Sequence, residues 1–137
     1  MSEAWVTWVN ETRDEVAKQF GWSVLEADAD HLKVEMRRTA LSTVPKGHFY
    51  GIALAAFAQR VAALIAAYQP EVPASTLPTS LVTQMNLNLI SNSRGERVVA
   101  EAHWLSHNGR QWVSETEVRD DTGHLVLQCT STHVPLA

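Results

Sequence analysis

The chain predicts an α+β domain in which one curled antiparallel sheet wraps a long apolar helix. Three observations carry that expectation. Apolar residues alternate with a period of two over residues 22–37 and again over much of 80–134, the pattern of strands with one buried face. Between these stretches, residues 50–68 hold only Gln59 and Arg60 as strongly polar side chains, so a helix there is apolar around its whole circumference and needs cover on every side. Ahead of both, Trp5, Trp8, Val9, Thr12, Val16 and Phe20 recur at spacings of three and four, one face of an amphipathic helix over about residues 3–20. Helix, hairpin, long helix and strand meander follow one another in 137 residues, the size of one domain, here 1–137 with its core over about 22–135.

Each element has a local cause. Ser2 supplies an N-cap for the first helix, and Gly21 a stop that accepts the left-handed conformation. Trp22 and Val24 mark one strand; Leu32, Val34 and Met36 alternate with His31, Lys33, Glu35 and Arg37 on the next, and Asp28-Ala29-Asp30 turns between them. A loop with Pro45 and Gly47 leads into the long helix, whose alanines allow close approach and which Pro70 and Pro73 end. Within it Arg60, next to Gln59, must find a carboxylate or solvent. Four strands are expected over residues 80–90, 97–107, 110–119 and 124–134. Asn108-Gly109 predicts a two-residue hairpin turn with Trp104 and Trp112 stacked across it, and Asp121-Thr122-Gly123 predicts the next turn. On the first of these strands Leu81, Thr83, Met85, Leu87 and Leu89 are expected to share the core face, with Gln84, Asn86 and Asn88 on the other. A single copy would leave the outer side of the long helix wet, so the expectation is a homodimer, with further pairing of dimers left open.

Composition excludes several classes. With 45% hydrophobic and 19% charged residues the chain is a packed one and not a disordered one. Eleven basic residues against fifteen acidic ones, net −4, leave no basic stripe for a nucleic-acid backbone. Cys129 is the only cysteine, which excludes an internal disulfide and a cysteine metal cluster; with no signal-peptide pattern over residues 1–10, the expected compartment is the cytoplasm. A central arginine argues against reading residues 50–68 as a membrane span. No metal site is expected: His103 and His107 stand about 13 Å apart along a strand. Neither a phosphate loop with lysine, nor a Gly-x-Ser-x-Gly elbow, nor a suggestively spaced Cys–His pair is present.

Three segments in this order carry a resemblance: Gly47-His48-Phe49-Tyr50-Gly51 ahead of the alanine-rich helix, Asn88-Leu89-Ile90-Ser91-Asn92 followed by the Gly95 turn, and Glu117-Val118-Arg119-Asp120-Asp121-Thr122-Gly123 at a hairpin. Over roughly residues 22–135 the chain resembles the hotdog-fold acyl thioesterases, especially the phenylacetate-degradation and 4-hydroxybenzoyl-CoA type. The resemblance implies hydrolysis of an acyl-CoA or acyl-carrier thioester at a dimer interface, with no cofactor beyond the coenzyme A moiety of the substrate. Such enzymes begin the helix with a His-Gly pair, place a carboxylate eight residues beyond that Gly, and often an Asn seven residues before it. Here Tyr50 takes the His place, Gly51 keeps the Gly, Gln59 takes the carboxylate place, Val44 the Asn place, and Gly47 fits the loop glycine.

The chemistry of Gly51 survives this substitution, because a backbone N–H at a helix start is unpaired within the helix and lies at the positive end of its dipole, suited to a thioester oxygen gaining charge. An amide at Gln59 cannot attack the acyl carbon or take a proton efficiently; it either orients water or hydrogen-bonds across the dimer. His48, three residues ahead of Gly51, is either a substitute base or an exposed loop histidine. Tyr50 is either a donor to the acyl group or a core tyrosine, and Thr83 is expected to point inward and contact substrate. The resemblance implies hydroxyl and basic residues for the nucleotide end of coenzyme A: Ser91, Asn92, Ser93, Arg94, Asn108 and Arg110. Phe57 and Val61 are expected at the pocket floor. Three readings stay open: a thioesterase, a noncatalytic hotdog protein that binds acyl thioesters or fatty acids, and an interaction dimer with a filled pocket.

Overall fold

A computed structural model describes residues 2–73 and 79–136. Ser2 caps helix α1 (Glu3–Glu11), its hydroxyl accepting the Trp5 N–H. The single helix expected over residues 3–20 is two. The Thr12 hydroxyl turns back onto the Trp8 carbonyl at 2.8 Å, and Asp14 starts α2 (Glu15–Phe20) by accepting the Ala17 N–H at 2.8 Å. A strong N-cap in the middle of a three-and-four pattern gives the backbone an alternative to continuing the helix, and here that alternative wins. In consequence Val16 is exposed and Ala17 buried in its place. Gly21 ends α2 at φ 74°, where an added Cβ would lie 2.7 Å from the Arg37 carbonyl oxygen.

Strands β1 (Trp22–Ala27) and β2 (His31–Arg37) form the expected hairpin, Trp22 opposite Met36 and Val24 opposite Val34. The Asp28 carboxylate makes its turn by accepting the Asp30 and His31 N–H groups, each at 2.9 Å. The long helix α3 (Gly51–Ala67) follows, then β3 (Ser80–Leu89), β4 (Arg97–Ser106), β5 (Trp112–Asp120) and β6 (Leu125–Pro135). All pairings are antiparallel, in one six-stranded sheet ordered β1-β2-β4-β5-β6-β3. α3 packs across β2 to β6, while α1 and α2 pack on β1. Ala53, Leu54, Phe57, Ala58, Val61, Ala62 and Ile65 are its buried face. Phe57 and Val61 therefore belong to the core between helix and sheet, and not to a pocket floor. Arg60 finds the Asp14 carboxylate at 3.1 Å and lies 5.0 Å over the Trp22 ring, which ties α2 to α3.

Two strand expectations change. On β3 the register shifts between Val82, opposite His133, and Gln84, opposite Thr132, so Thr83 is an extra residue without a partner. One inserted residue reverses which side chains face the core. Ser80 and Val82 are inward before it and Met85 and Leu87 after it, whereas Leu81 is 52% exposed. Thr83 is exposed as well, its hydroxyl directed at the Thr132 carbonyl at 3.4 Å, so it is not an inward pocket residue. Between β4 and β5 the expected two-residue turn is a longer loop, 107–111, and Trp104 pairs with Ser114 and not with Trp112. The register shifts between Trp104 and Ser106, His107 stacks on Trp104 at 4.1 Å, and the two indoles still meet edge to face at 5.8 Å. The next turn is as expected, with Asp120 accepting the Thr122 and His124 N–H groups and Gly123 at φ 87°.

Candidate functional site

The loop before α3 is held from three directions. Thr43 and Phe49 form an isolated bridge, and the Tyr50 N–H donates to the Ser42 carbonyl at 2.9 Å. Asn92, just past β3, grips Phe49 at both ends: its Oδ1 accepts the Phe49 N–H at 3.1 Å and its Nδ2 donates to the Phe49 carbonyl at 2.8 Å. The same oxygen accepts the Ser93 N–H at 2.7 Å, so the Asn92 amide is engaged in setting where α3 begins. Phe49 is buried, with the Arg38 guanidinium 5.5 Å over its ring, and Arg38 in turn donates twice to the Gly95 carbonyl.

That bracing presents the start of the helix. Tyr50 is the N-cap residue in an extended conformation and gives no side-chain cap; at 41% exposure it is no core tyrosine. The helical ladder begins with the Leu54 N–H on the Tyr50 carbonyl at 3.0 Å. The Gly51 N–H has no acceptor among the described residues, and Gly51 is exposed. No acidic side chain stands in the first turn to neutralise the positive end of the dipole. Leu89 of β3 flanks it: a Cβ added at Gly51 would lie 3.7 Å from the Leu89 Cδ1. The arrangement offers an oriented backbone donor beside an apolar edge, suited to a carbonyl oxygen that gains negative charge.

Gln59 stands eight residues further along α3, about 12 Å at the rise of a helix. It is exposed and borders a cleft of about 170 Å³ between α3 and β3, together with Ala63, Ala66, Leu81, Val82 and His133. A Gln59 and the Gly51 of the same chain are too far apart to touch one thioester group. His133, which the sequence reading does not single out, is fully buried beside this cleft, its Nε2 2.8 Å from the Ser114 hydroxyl. Burial, with the nearby His107 adding to it, pushes its pKa down to about 4, so its imidazole is neutral at pH 7. The signal that finds it is the period of two along β6, where Leu127, Cys129, Ser131 and His133 all turn inward.

The remaining candidates disperse. His48 is exposed; its carbonyl accepts the Val44 N–H at 3.0 Å, and its imidazole has no hydrogen bond among the described residues. The Ser91 hydroxyl donates to the Leu125 carbonyl at 2.7 Å. Arg94 and Arg110 are exposed, but their loops lie at opposite ends of the ten-residue strand β4, about 30 Å apart, so one chain cannot close both on one nucleotide. Ser91, Asn92 and Arg94 share the Gly51 end. A larger cavity, about 580 Å³, opens between α1, α2, β1 and α3 and includes neither Gly51 nor Gln59. Among the described residues no group of three or more His, Cys, Asp or Glu side chains is placed to hold a metal ion, and no helix is long and apolar enough to cross a membrane.

No family model matches the sequence, and no curated protein matches it. Solved structures match it over nearly its whole length. The thioesterase HI1161 of Haemophilus influenzae superposes with a TM-score of 0.81 at 16% identity, covering 96% of this chain and 90% of that one. The PaaI protein of the phenylacetic acid degradation operon of E. coli does so with a TM-score of 0.77 at 16% identity, covering 99% and 97%. A hypothetical thioesterase protein of Streptococcus pneumoniae, solved with coenzyme A, has a TM-score of 0.72 at 12% identity, covering 88% and 90%. The fold is therefore the hotdog fold of these thioesterases, as the sequence resemblance implied.

Proposed function

We propose that this protein hydrolyses acyl thioesters, binding the thioester carbonyl oxygen on the Gly51 N–H, and that it works as a homodimer. The free, exposed amide at the braced start of α3 is the observation that carries this reading. Water adds to the acyl carbon, the carbonyl oxygen takes up negative charge against that N–H, and the carbon–sulfur bond then breaks. The acid leaves with the hydroxyl group, and the proton from water ends on the departing thiol. Gln59 orients the water through its amide but cannot hold the proton, and the imidazole of His48, three residues ahead of Gly51, is assigned to carry it. Slow turnover is the consequence.

The dimer follows from distance and from the sheet edge. With about 12 Å between Gly51 and Gln59 in one chain, the two serve one thioester only when the partner's Gln59 approaches this Gly51. β3 is an edge strand with β6 on one side only, ten residues whose outer backbone groups await a second strand. At its Gly51 end Ile52, 81% exposed, and Leu89, 53% exposed, offer apolar surface that a second copy would cover. Coenzyme A as the carrier is supported by the relative solved with it, and a carrier-protein thioester presents the same reacting group. A lone buried thiol, Cys129, suits the cytoplasm.

A specific observation favours a second reading, noncatalytic binding of acyl thioesters: an amide stands at Gln59 where a carboxylate would do the chemistry. One experiment separates them. Free-thiol release from a panel of acyl-CoA substrates is expected to be slow but saturable for the parent, lost in Gln59→Ala and raised in Gln59→Asp. Release confined to Gln59→Asp would establish the noncatalytic reading instead.

A further inference from the structure

We propose that the cavity between the N-terminal helices and α3 binds an apolar monocarboxylate, a ligand separate from the thioester at Gly51. Its volume of about 580 Å³ lies within the range of about 300–1,000 Å³ in which pockets enclose small molecules. Trp8, Val9, Val24 and Leu64 give it apolar walls. The break between α1 and α2, which the Asp14 cap creates, places Arg13 and Asp14 on its border, and Arg60 reaches it from α3.

The charges select the ligand. Arg13 and Arg60 against Asp14 leave the lining one positive charge in excess, within a chain of net charge −4. Asp14 is already engaged: one oxygen accepts the Ala17 N–H and the other the Arg60 Nη2 at 3.1 Å. Arg60 has no other acceptor among the described residues, so its Nε and Nη1 donors are open. Arg13 uses Nε on the Asn10 carbonyl and Nη1 on the Trp22 carbonyl, which leaves Nη2. Guanidinium donors without acceptors, in a lining whose Asn10, Thr12 and Ser23 side chains already have partners, are satisfied by a single carboxylate whose body fills the space beside the tryptophans. A neutral alcohol of the same shape accepts from one donor without a counter-charge, and a cationic ligand is repelled.

Decanoate, 1-decanol and decylamine, titrated into the full chain with tryptophan fluorescence as the readout, test this directly, because Trp8 and Trp22 border the cavity. Decanoate is expected to saturate the signal at least tenfold more tightly than the other two, and Arg60→Gln to remove that preference. Asp14→Asn keeps an N-cap residue while releasing Arg60, and is expected to tighten decanoate several-fold with decanol unchanged, a gain that loss of structure cannot produce. A decyl-CoA thioether at saturating concentration, which cannot be hydrolysed and occupies the thioester site, is expected to leave decanoate binding intact, which separates this site from a product acid held at the thioester site. Equal affinity for the three probes, no saturable binding, or no tightening in Asp14→Asn would overturn the proposal. Displacement of decanoate by the thioether would overturn it as well, by placing the acid at the thioester site.

Discussion

Replacing Gly51 with proline is expected to lower kcat for thioester hydrolysis by about 10²–10³-fold, the usual cost of one lost oxyanion donor, roughly 3–4 kcal/mol in the barrier. The substitution suits the site unusually well. Gly51 is the first residue of α3, a position proline favours because its N–H has no partner within the helix. Tyr50, the residue before it, already has φ −63° and ψ 137°, the extended conformation that a following proline demands. The nearest atom to an added Cβ, the Leu89 Cδ1 at 3.7 Å, is at ordinary contact distance. Proline therefore removes the donor and keeps the helix. Steady-state kinetics should show kcat falling with KM little changed and the thermal midpoint held, while Gly51→Ala, which keeps the N–H, should retain most of the parent rate. Equal rates for the proline variant and the parent would remove Gly51 from the chemistry.

Truncating Phe57 to alanine is expected to destabilise the fold by about 3–5 kcal/mol, the range for a large aromatic removed from a packed core. Phe57 is fully buried at the middle of α3, and its ring stacks on Trp22 at 6.4 Å, which stacks in turn on Phe20 at 5.3 Å. One side chain thus joins α3, β1 and the end of α2. Domains of this size carry roughly 5–15 kcal/mol in all, so the loss is a large fraction of it. Chemical denaturation should show the midpoint falling sharply, against a change within about 0.5 kcal/mol for Gln59→Ala, whose side chain is exposed. A small effect at Phe57 would mean that α3 is not the centre of the core.

Much of the architecture was legible because it rests on periodicity. The alternation of Leu32, Val34 and Met36 and the uninterrupted apolar run of α3 are patterns that only one kind of element can bury. Gly21 and the Asp120–Gly123 turn are local chemistry, and local chemistry is readable. What escaped depends on neighbours distant in sequence or on one-residue events. Nothing in Val82-Thr83-Gln84 announces a bulge, since Leu81 and Val82 are both apolar and either register looks sound. Asn92 reads as a loop residue near a substrate until Phe49, 43 residues earlier, is found between its two amide atoms. The cap at Asp14 was readable in principle, because a strong N-cap residue inside a helical pattern is a restart signal. So was the separation of Arg94 from Arg110: loops on either side of one antiparallel strand always fall at opposite ends. At the candidate site, Gly51 and Gln59 were legible as residues, but their span along one helix becomes decisive only when both are asked to serve one thioester.

Subunit complementation tests that requirement most directly. Gly51→Pro and Gln59→Ala homodimers are each expected to be inactive, and a randomly exchanged equal mixture is expected to recover about a quarter of the parent rate, since half of the dimers are mixed and each mixed dimer holds one intact pair of groups. A chain that remains monomeric, or mixed dimers that form and hydrolyse nothing, would contradict a site shared between two copies.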